Sequence, residues 1–296
     1  MNKKTYHGID CVEPSNGNLS LLVTQSVGPR ILSLRVGESD NLFAELPGVS
    51  LDFPGKENFY FYGGHRLWHA PEDPVRTYLP DNQPVTIESV AGGTLVKQAT
   101  EVETGLQKSM RITLAPDKNR VEIEHVLRND GIWPVTCAVW AITQFKTGGV
   151  ALLPQYTGLT KQNITLPNRQ IILWSYTDIG SPYITWGNDL ILIHADVETA
   201  EMAVKFGYPN PRGWLAYLVD GHLFVKRAGY NPEVHYFDFE SSSEVYCNDK
   251  FLELETLGPI TTIDPGEAAS HVEMWEIYPD VGQPEDIRDL VDLIEK

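Results

Sequence analysis

Short runs of alternating apolar and polar residues recur along the whole chain and are separated by turn-forming residues. Side chains two positions apart lie on the same face of a strand, so this alternation is typical of half-buried strands. Clear examples run from Arg30 to Val36, from Leu106 to Leu114 and from Arg120 to Leu127. About fifteen or more such runs follow one another at hairpin spacing, which predicts an all-β fold.

Helical spacing of apolar residues is clear only near the C-terminus. Four apolar residues between positions 287 and 294 form a stripe, and Pro284 followed by two acidic residues suits a helix start. We therefore expect one short helix at about 284–294, packed on the outside of the sheets. No linker or long repeat interrupts the chain, which predicts a single domain over residues 1–296.

Composition and charge argue against several classes of partner. The net charge of −17 repels phosphate backbones and anionic lipid, so we expect no nucleic-acid or membrane partner. No apolar run reaches the length of a membrane span, and no apolar segment follows the N-terminal lysines as it would in a signal peptide. Cys11, Cys137 and Cys247 are odd in number and widely spaced, which favours buried reduced thiols in a cytoplasmic protein.

Two glutamates share one face of an otherwise apolar run, Phe251-Leu-Glu-Leu-Glu-Thr-Leu-Gly-Pro-Ile260. In a strand, Glu253 and Glu255 point to the same side as Phe251. A carboxylate in such surroundings costs free energy unless something compensates it. The run is therefore an edge strand with one wet face, a strand with structural ion pairs, or the floor of a cleft that holds a carboxylate.

A second cluster of functional side chains lies in Gly63-Gly-His-Arg-Leu-Trp-His-Ala-Pro-Glu72, within a weakly patterned stretch over 46–82 that predicts a functional loop. The guanidinium of Arg66 suits recognition of hydroxyls or carboxylates, and the ring of Trp68 offers a flat face to a sugar. Imidazoles such as those of His65 and His69 can carry a proton near neutral pH. The structural alternative is that Arg66 pairs with a buried carboxylate and Trp68 fills the core.

Histidines also raise the question of a metal. His65 and His69 have the spacing of zinc ligands on a helix, but the flanking glycines and proline leave room for one helical turn at most, so we predict no metal site. No nucleotide-binding or phosphate-binding motif occurs, and we expect no cofactor. His271 shares a face of the last strand with Glu273 and Trp275, a mixture that is unusual for a core and fits a cleft wall.

Several of these segments together resemble a known superfamily. Leu254-Glu-Thr256, followed by Pro265-Gly-Glu267 and then His271, resembles the C-terminal signature of aldose 1-epimerases, the galactose mutarotases. The wider pattern is similar to an uncharacterised group of the same superfamily, the domain-of-unknown-function group DUF4380. The segments that carry this likeness are Gly63 to Trp68, Ala70 to Glu72, Trp140 to Thr143, Leu252 to Pro259 and His271 to Trp275.

The resemblance implies a galactose-mutarotase-like supersandwich, in which large antiparallel sheets leave an open sugar cleft. It also implies that Glu255 is the catalytic base and that Arg66 holds the sugar near it. Mutarotases carry a histidine acid on a central strand, where this sequence has Trp140. Either the acid comes from elsewhere, with His65 and His69 as candidates, or the reaction is not mutarotation.

The sequence as a whole predicts a protein that acts on a small sugar by acid/base catalysis, like an aldose 1-epimerase. Such chemistry needs a base near the anomeric hydroxyl, expected to be Glu255, and an acid near the ring oxygen, expected to be His69 or His65. The expected substrate-binding residues are Arg66, Trp68, Glu72, Trp140, Glu253, His271 and Trp275. Two alternatives stay open, a non-catalytic sugar-binding protein and a glycoside hydrolase or lyase with a second carboxylate. The oligomeric state is not predicted.

Overall fold

The computed structural model describes residues 2–53, 57–158, 165–195, 203–284 and 286–296. Within these ranges the chain folds almost entirely into antiparallel strands, so the all-β prediction is confirmed. The strands, in chain order, are β1 (Asn2–Tyr6), β2 (Ile9–Glu13), β3 (Leu19–Thr24), β4 (Arg30–Val36), β5 (Glu45–Leu51), β6 (Phe59–Ala70), β7 (Thr86–Val90), β8 (Gly93–Lys97), β9 (Leu106–Leu114), β10 (Arg120–Asn129), β11 (Val135–Lys146), β12 (Val150–Pro154), β13 (Ile172–Leu173), β14 (Ile184–Thr185), β15 (Leu190–His194), β16 (Val204–Tyr208), β17 (Trp214–Val219), β18 (His222–Ala228), β19 (Ser243–Cys247), β20 (Phe251–Leu257), β21 (Thr261–Ile263) and β22 (Ala268–Tyr278).

These strands form two large antiparallel sheets. The first sheet has the order β1-β2-β3-β4-β6-β11-β20-β19-β16-β13, with β5 paired to β6 and β21 paired to β11. The second has the order β14-β15-β12-β17-β18-β22-β10-β9-β8-β7. The two sequence segments that contain most of the candidate site residues form β6 and β20. They thus lie on either side of β11 in the middle of the first sheet.

One hydrophobic core fills the space between the sheets. At its centre Phe43, Phe145, Phe224 and Trp275 meet mostly edge to face, with ring centroids 4.9 to 6.3 Å apart. Each large apolar side chain buried in this way contributes about 1.5–3 kcal/mol. The first sheet therefore has one face fixed against this core, and its other face is free to carry a site.

Strand β6 corrects one expectation, because the glycine-containing stretch predicted to be a loop is a central strand. It pairs with β4 on one side and β11 on the other. Gly63 and Gly64 have φ angles of +89° and +72°, and a Cβ at these positions would lie 1.9 Å from Ala44 O and 2.1 Å from Ile31 O. The two glycines therefore allow a bend and a close approach of neighbouring backbones within the sheet.

Two short helical segments accompany the sheets. The first, α1 (Phe237–Glu240), is a single turn with left-handed backbone at Asp238 and Phe239. The second, α2 (Asp289–Ile294), is the predicted C-terminal helix, and it packs through Leu290 and Ile294 on the outer face of the second sheet.

The C-terminal helix is shorter than the predicted range of 284–294. It begins at Asp289, because the side chain of Asp286 accepts from the backbone N–H of Arg288 (2.9 Å) and holds a tight turn there. Position 285 lies outside the described residues.

Two predictions about the chain as a whole can be compared with the structure. All three cysteines are buried free thiols, as predicted. Within the described part of the chain, no helix is long and apolar enough to cross a membrane.

Candidate functional site

A pocket of about 490 Å³ opens on the face of the first sheet that points away from the core. Its walls are mainly aromatic, and its charged lining residues are two cations and two carboxylates. The aromatic residues are Phe61, Trp68, Tyr78, Trp140, Trp174, Tyr176, Tyr246 and Phe251, and the charged residues are Arg66, Glu72, Lys205 and Glu253. A concave site with apolar walls and a few converging polar groups is the usual form of a small-molecule site.

A larger cavity of about 810 Å³ lies beside the C-terminal helix, and its chemistry is less suggestive. Its lining includes Arg212 and Arg288, which already have the surface carboxylates Glu295 and Asp286 as ion-pair partners. The smaller pocket is the stronger candidate, because it places partly buried titratable groups against aromatic rings.

Strand register brings the polar groups of the pocket together. Gln144 on β11 lies opposite Glu253 on β20, and Arg66 on β6 lies opposite Ile142, two residues before Gln144. The carboxylate oxygen Oε1 of Glu253 accepts from Gln144 Nε2 (2.9 Å) and from Arg66 Nη2 (3.2 Å). Arg66 also lies over the ring of Trp68, with its Cζ 4.1 Å from the ring centroid, so its orientation is fixed from two sides.

Glu253 is a lining carboxyl whose proton affinity is strongly altered by its surroundings. Burial, reinforced by the nearby Glu255, raises the pKa of Glu253 to about 7, although Arg66 and Lys205 act in the opposite direction. Burial also lowers the pKa of Arg66, to about 10, which leaves its guanidinium charged at neutral pH. A carboxyl that is 8% exposed and titrates near neutrality can exchange a proton with a ligand in the pocket.

Glu255 lies beneath the pocket floor and is closed off by its neighbours. Its Oε2 accepts from Trp140 Nε1 (2.8 Å) and from Lys205 Nζ (3.2 Å), and the residue has no exposed surface. Lys205 also pairs with Glu244 (3.0 Å), which is equally buried. The ammonium of Lys205 thus binds two carboxyl groups from adjacent strands, β19 and β20.

The charges in this triad follow from burial and proximity. Burial by itself lowers the pKa of Lys205, but Glu244 and Glu255 outweigh it and raise that pKa well above its usual value. Burial raises the pKa of Glu244 well above its usual value, and Lys205 offsets only part of this effect. The two carboxyl groups therefore keep the ammonium of Lys205 in its charged form, and Lys205 reaches the pocket as a hydrogen-bond donor.

The structure divides the residues proposed from the sequence into three groups. The residues that line the pocket are Arg66, Trp68, Glu72, Trp140 and Glu253. Glu255 lies directly below them. The residues that lie on the opposite side of the first sheet, between the two sheets, are His65, His69, His271 and Trp275.

The expectation that His65 or His69 supplies an acid to the site does not agree with their placement. Both alternate with Arg66 and Trp68 along a strand, so they point to the opposite face. His65 is bonded to Thr143 and to His125, and burial lowers its pKa well below the usual value. Burial lowers the pKa of His69 to about 3, so neither imidazole carries an exchangeable proton to the pocket.

His65 and His69 do not have the spacing of zinc ligands on a helix, because both lie on β6. Residues four apart on a strand are separated by ~13 Å instead of by about one helical turn. His271 and Trp275 likewise face the core instead of a cleft wall. His271 is bonded to Thr256, and Trp275 donates to Glu273 (2.9 Å) inside the sandwich. The mixed polar and aromatic face of β22 is thus a buried polar network.

Several pocket residues were not singled out by the sequence reasoning. They are Phe61, Tyr78, Trp174, Tyr176, Lys205 and Tyr246, and Glu244, the buried partner of Lys205, was missed as well. A signal existed for Lys205 and for Glu244, since each interrupts a short, mostly apolar strand. The aromatic residues gave no comparable signal, because aromatic side chains are also common in cores.

Solved structures with mutarotase-like folds match this one along nearly its whole length. A candidate mutarotase from Salmonella typhimurium is 10% identical with a TM-score of 0.56, over 94% of this chain and 93% of that one. A candidate aldose 1-epimerase from Escherichia coli K12 is 9% identical with a TM-score of 0.51, over 90% and 98%. The chain therefore has a galactose-mutarotase-like fold, and at these identities the likeness extends to the fold alone.

A further match is to a longer protein. A TPR-domain-containing protein from Parabacteroides distasonis ATCC 8503 is 16% identical with a TM-score of 0.63, over 94% of this chain and 48% of that one. This chain thus spans about half the length of that protein. No family profile matches the sequence, and no curated protein matches it.

Proposed function

We propose that the aromatic pocket binds a small sugar and that Glu253 exchanges a proton with one of its hydroxyls, as in an aldose 1-epimerase. The fold and the aromatic lining support a sugar ligand, because flat rings can stack on the faces of a pyranose while polar groups bind its hydroxyls. The proposal includes a relationship of this chain to the DUF4380 group, which its sequence motifs resemble. A small sugar also suits the cytoplasmic location expected from the sequence.

The observation that carries the proposal is the setting of Glu253. Its carboxyl faces the pocket, is held by Arg66 and Gln144, and has a pKa of about 7. A general base is most effective when its pKa lies near the working pH. The sequence assigned this role to Glu255, and we transfer it to Glu253 because Glu255 is closed off by Trp140 and Lys205.

Lys205 is the proposed donor to the ring oxygen. Its ammonium lies 4.8 and 4.7 Å from the ring centroids of Trp140 and Trp174, both of which line the pocket. Burial raises the pKa of Tyr246 to about 12, and burial also raises that of Tyr176, so these hydroxyls stay protonated and can bind a sugar. Arg66 and Glu72 complete the proposed binding set.

The test is the rate at which α- and β-anomers of glucose or galactose interconvert, followed by NMR with the wild type, Glu253→Gln and Glu255→Gln. A lost general base lowers a rate by about 10²–10⁴-fold. We expect a loss of this size for Glu253→Gln and a smaller one for Glu255→Gln. A larger loss of rate for Glu255→Gln than for Glu253→Gln would indicate that Glu255 is the base.

A non-catalytic sugar-binding protein is the second candidate, and one observation favours it. Glu255, which matches the base of the mutarotase signature, is engaged by Lys205 and has no exposed surface. This candidate predicts saturable sugar binding, measured by calorimetry, without any acceleration of anomer exchange by the wild type. A hydrolase or lyase would instead release reducing ends from a glycoside, and Glu72 would be its second carboxylate.

A further inference from the structure

A buried ion pair lies between the sheets, directly behind the pocket. Lys226 and Glu273 have no exposed surface, and their Nζ and Oε1 atoms are 2.9 Å apart. Lys226 Nζ also donates to the backbone carbonyl of Leu254 (2.9 Å) and, more weakly, to that of Ala141 (3.4 Å). One ammonium from β18 therefore joins two adjacent strands of the first sheet, β11 and β20, to β22 of the second.

Three histidines extend this connection to β6. His65 is bonded through Nδ1 to Thr143 (2.8 Å) and through Nε2 to His125 Nε2 (2.7 Å). His125 Nδ1 lies 3.1 Å from the backbone oxygen of His271, which can only accept, so His125 donates there and accepts from His65. His271 Nε2 is bonded to Thr256 Oγ1 (2.8 Å), which in turn donates to Glu273.

A metal ion is the obvious alternative occupant for this cluster. His65, His125 and Glu273 present ligand atoms within 4.8 Å of one another. The carboxylate of Glu273, however, already accepts from Lys226, Thr256 and Trp275. A divalent ion would place a second buried cation beside Lys226, so the ammonium itself is the cation that balances this site.

The network costs free energy, because buried ions lose their hydration, and apolar residues in their place are often equally stable. An apolar core, in contrast, is non-directional and does not distinguish two strand registers that differ by two residues. Hydrogen bonds to particular backbone and hydroxyl groups do distinguish them. Three of the bonded groups are also chain neighbours of residues that line the pocket: His65 of Arg66, Thr143 of Ile142, and Leu254 of Glu253.

We propose that the Lys226–Glu273 network fixes the register of β6, β11 and β20 and thereby positions the pocket on their opposite face. Lys226, Glu273 and the three histidines are positioning residues, since none of them lines the pocket. The inference depends on the proposed function only in treating the pocket as a ligand site. The register itself can be measured without any ligand.

The test is the double variant Lys226→Met/Glu273→Gln, which removes the ion pair and keeps the side-chain volumes similar. The readout is the indole ¹⁵N–¹H signal of Trp140, whose N–H donates to Glu255 on the pocket face, with Trp140→Phe for its assignment. We expect loss of the single wild-type signal through shift or doubling, and a shifted midpoint in the NMR titration of the Glu253 carboxyl. The signal of the exposed Trp133 should be unchanged.

The matched control is Ile193→Ala, which removes fully buried apolar volume between the sheets on β15, a strand that pairs with β12 and β14 and carries no residue of the network. It should lower stability and leave the Trp140 signal and the Glu253 titration unchanged. A folded double variant with both readouts at their wild-type values would overturn the inference and leave the network a purely stabilising role. If the double variant does not fold, Thr143→Val removes one bond of the network at constant volume, and the same readouts decide.

Absence of sugar binding by the wild type would contradict the proposed function. It would not contradict this inference if the Trp140 signal changes in the double variant. Sugar binding by the wild type, together with an unchanged Trp140 signal in the folded double variant, would support the proposed function and contradict this inference.

Discussion

At position 253 the pocket carries a carboxyl whose protonation is coupled to folding. Its pKa is about 7 in the folded protein against an ordinary value of 4.5, and burial is the largest cause. Between these values the folded state binds more protons than the unfolded state, so stability falls as the pH rises. This penalty is complete above pH 7 and absent below 4.5.

We predict that Glu253→Gln raises the free energy of unfolding at pH 8 and has little effect at pH 5. The upper bound is about 3 kcal/mol, since each pKa unit corresponds to about 1.4 kcal/mol. Urea unfolding at both pH values measures the change. Glu276→Gln is an opposite control, because ion pairs with Arg227 and Arg120 outweigh burial and lower the pKa of Glu276. Equal effects of Glu253→Gln at the two pH values would contradict the coupling.

Lys205 is the other residue whose loss should be severe. Lys205→Met leaves Glu244 and Glu255 buried without their common cation. Breaking a buried ion pair from one side costs about 3–5 kcal/mol, and we expect a loss of this size in chemical unfolding. The addition of Glu255→Gln should restore part of the stability. Lys4→Met is the control, because Lys4 forms only an exposed pair with Glu13 and its loss should cost little.

At the scale of an element, β6 separates two environments with one alternating run. Arg66 and Trp68 face the pocket, whereas His65 and His69 face the core. The two histidines are equally buried but differ in their partners. Both ring nitrogens of His65 are bonded, and neither ring nitrogen of His69 has a hydrogen-bond partner among the described residues.

We therefore predict that His69→Leu stabilises the protein and His65→Leu destabilises it. An unsatisfied buried polar group costs about 1–3 kcal/mol, which sets the expected gain for His69→Leu. The gain should be larger at pH 5 than at pH 8, because the pKa of His69 falls from 6.5 to about 3 on burial and only the unfolded chain takes up a proton at pH 5. Thermal unfolding at both pH values measures it. A lower melting temperature for His69→Leu would show that the imidazole is satisfied.

At the scale of the whole molecule, the chain carries a net charge of −17. Like charges repel one another most strongly in the compact state, and salt screens exposed charges more than buried pairs. The buried pairs around Lys205 and Lys226 should therefore contribute little to the salt dependence of stability.

We predict that the melting temperature rises by about 2 °C when NaCl is increased from 10 to 200 mM, on the order of 1 kcal/mol of screened repulsion. Differential scanning calorimetry measures the shift, and KCl should give the same result if the effect is screening. A fall in melting temperature with salt would mean that attractive surface pairs dominate over net repulsion.

Local sequence patterns were sufficient for much of the fold. Alternation located strands such as β4 and β9 at their observed bounds, and it placed Glu253 and Glu255 on one face of β20. The two glycines of β6 misled the prediction, because glycine marks a loop and a close backbone approach with the same signal. That residues 1–296 form a single domain stays a prediction.

The sequence by itself determined the strands and the side chains that share a face, because alternation depends only on neighbouring residues. Only the tertiary structure decided which face opens as a pocket and which is buried against the second sheet. It also decided that Lys205 meets Glu255 fifty positions away and that Arg66 meets Glu253 across β11. These outcomes depend on strand order and register, which arise from pairing between distant segments and leave no periodic trace in the chain.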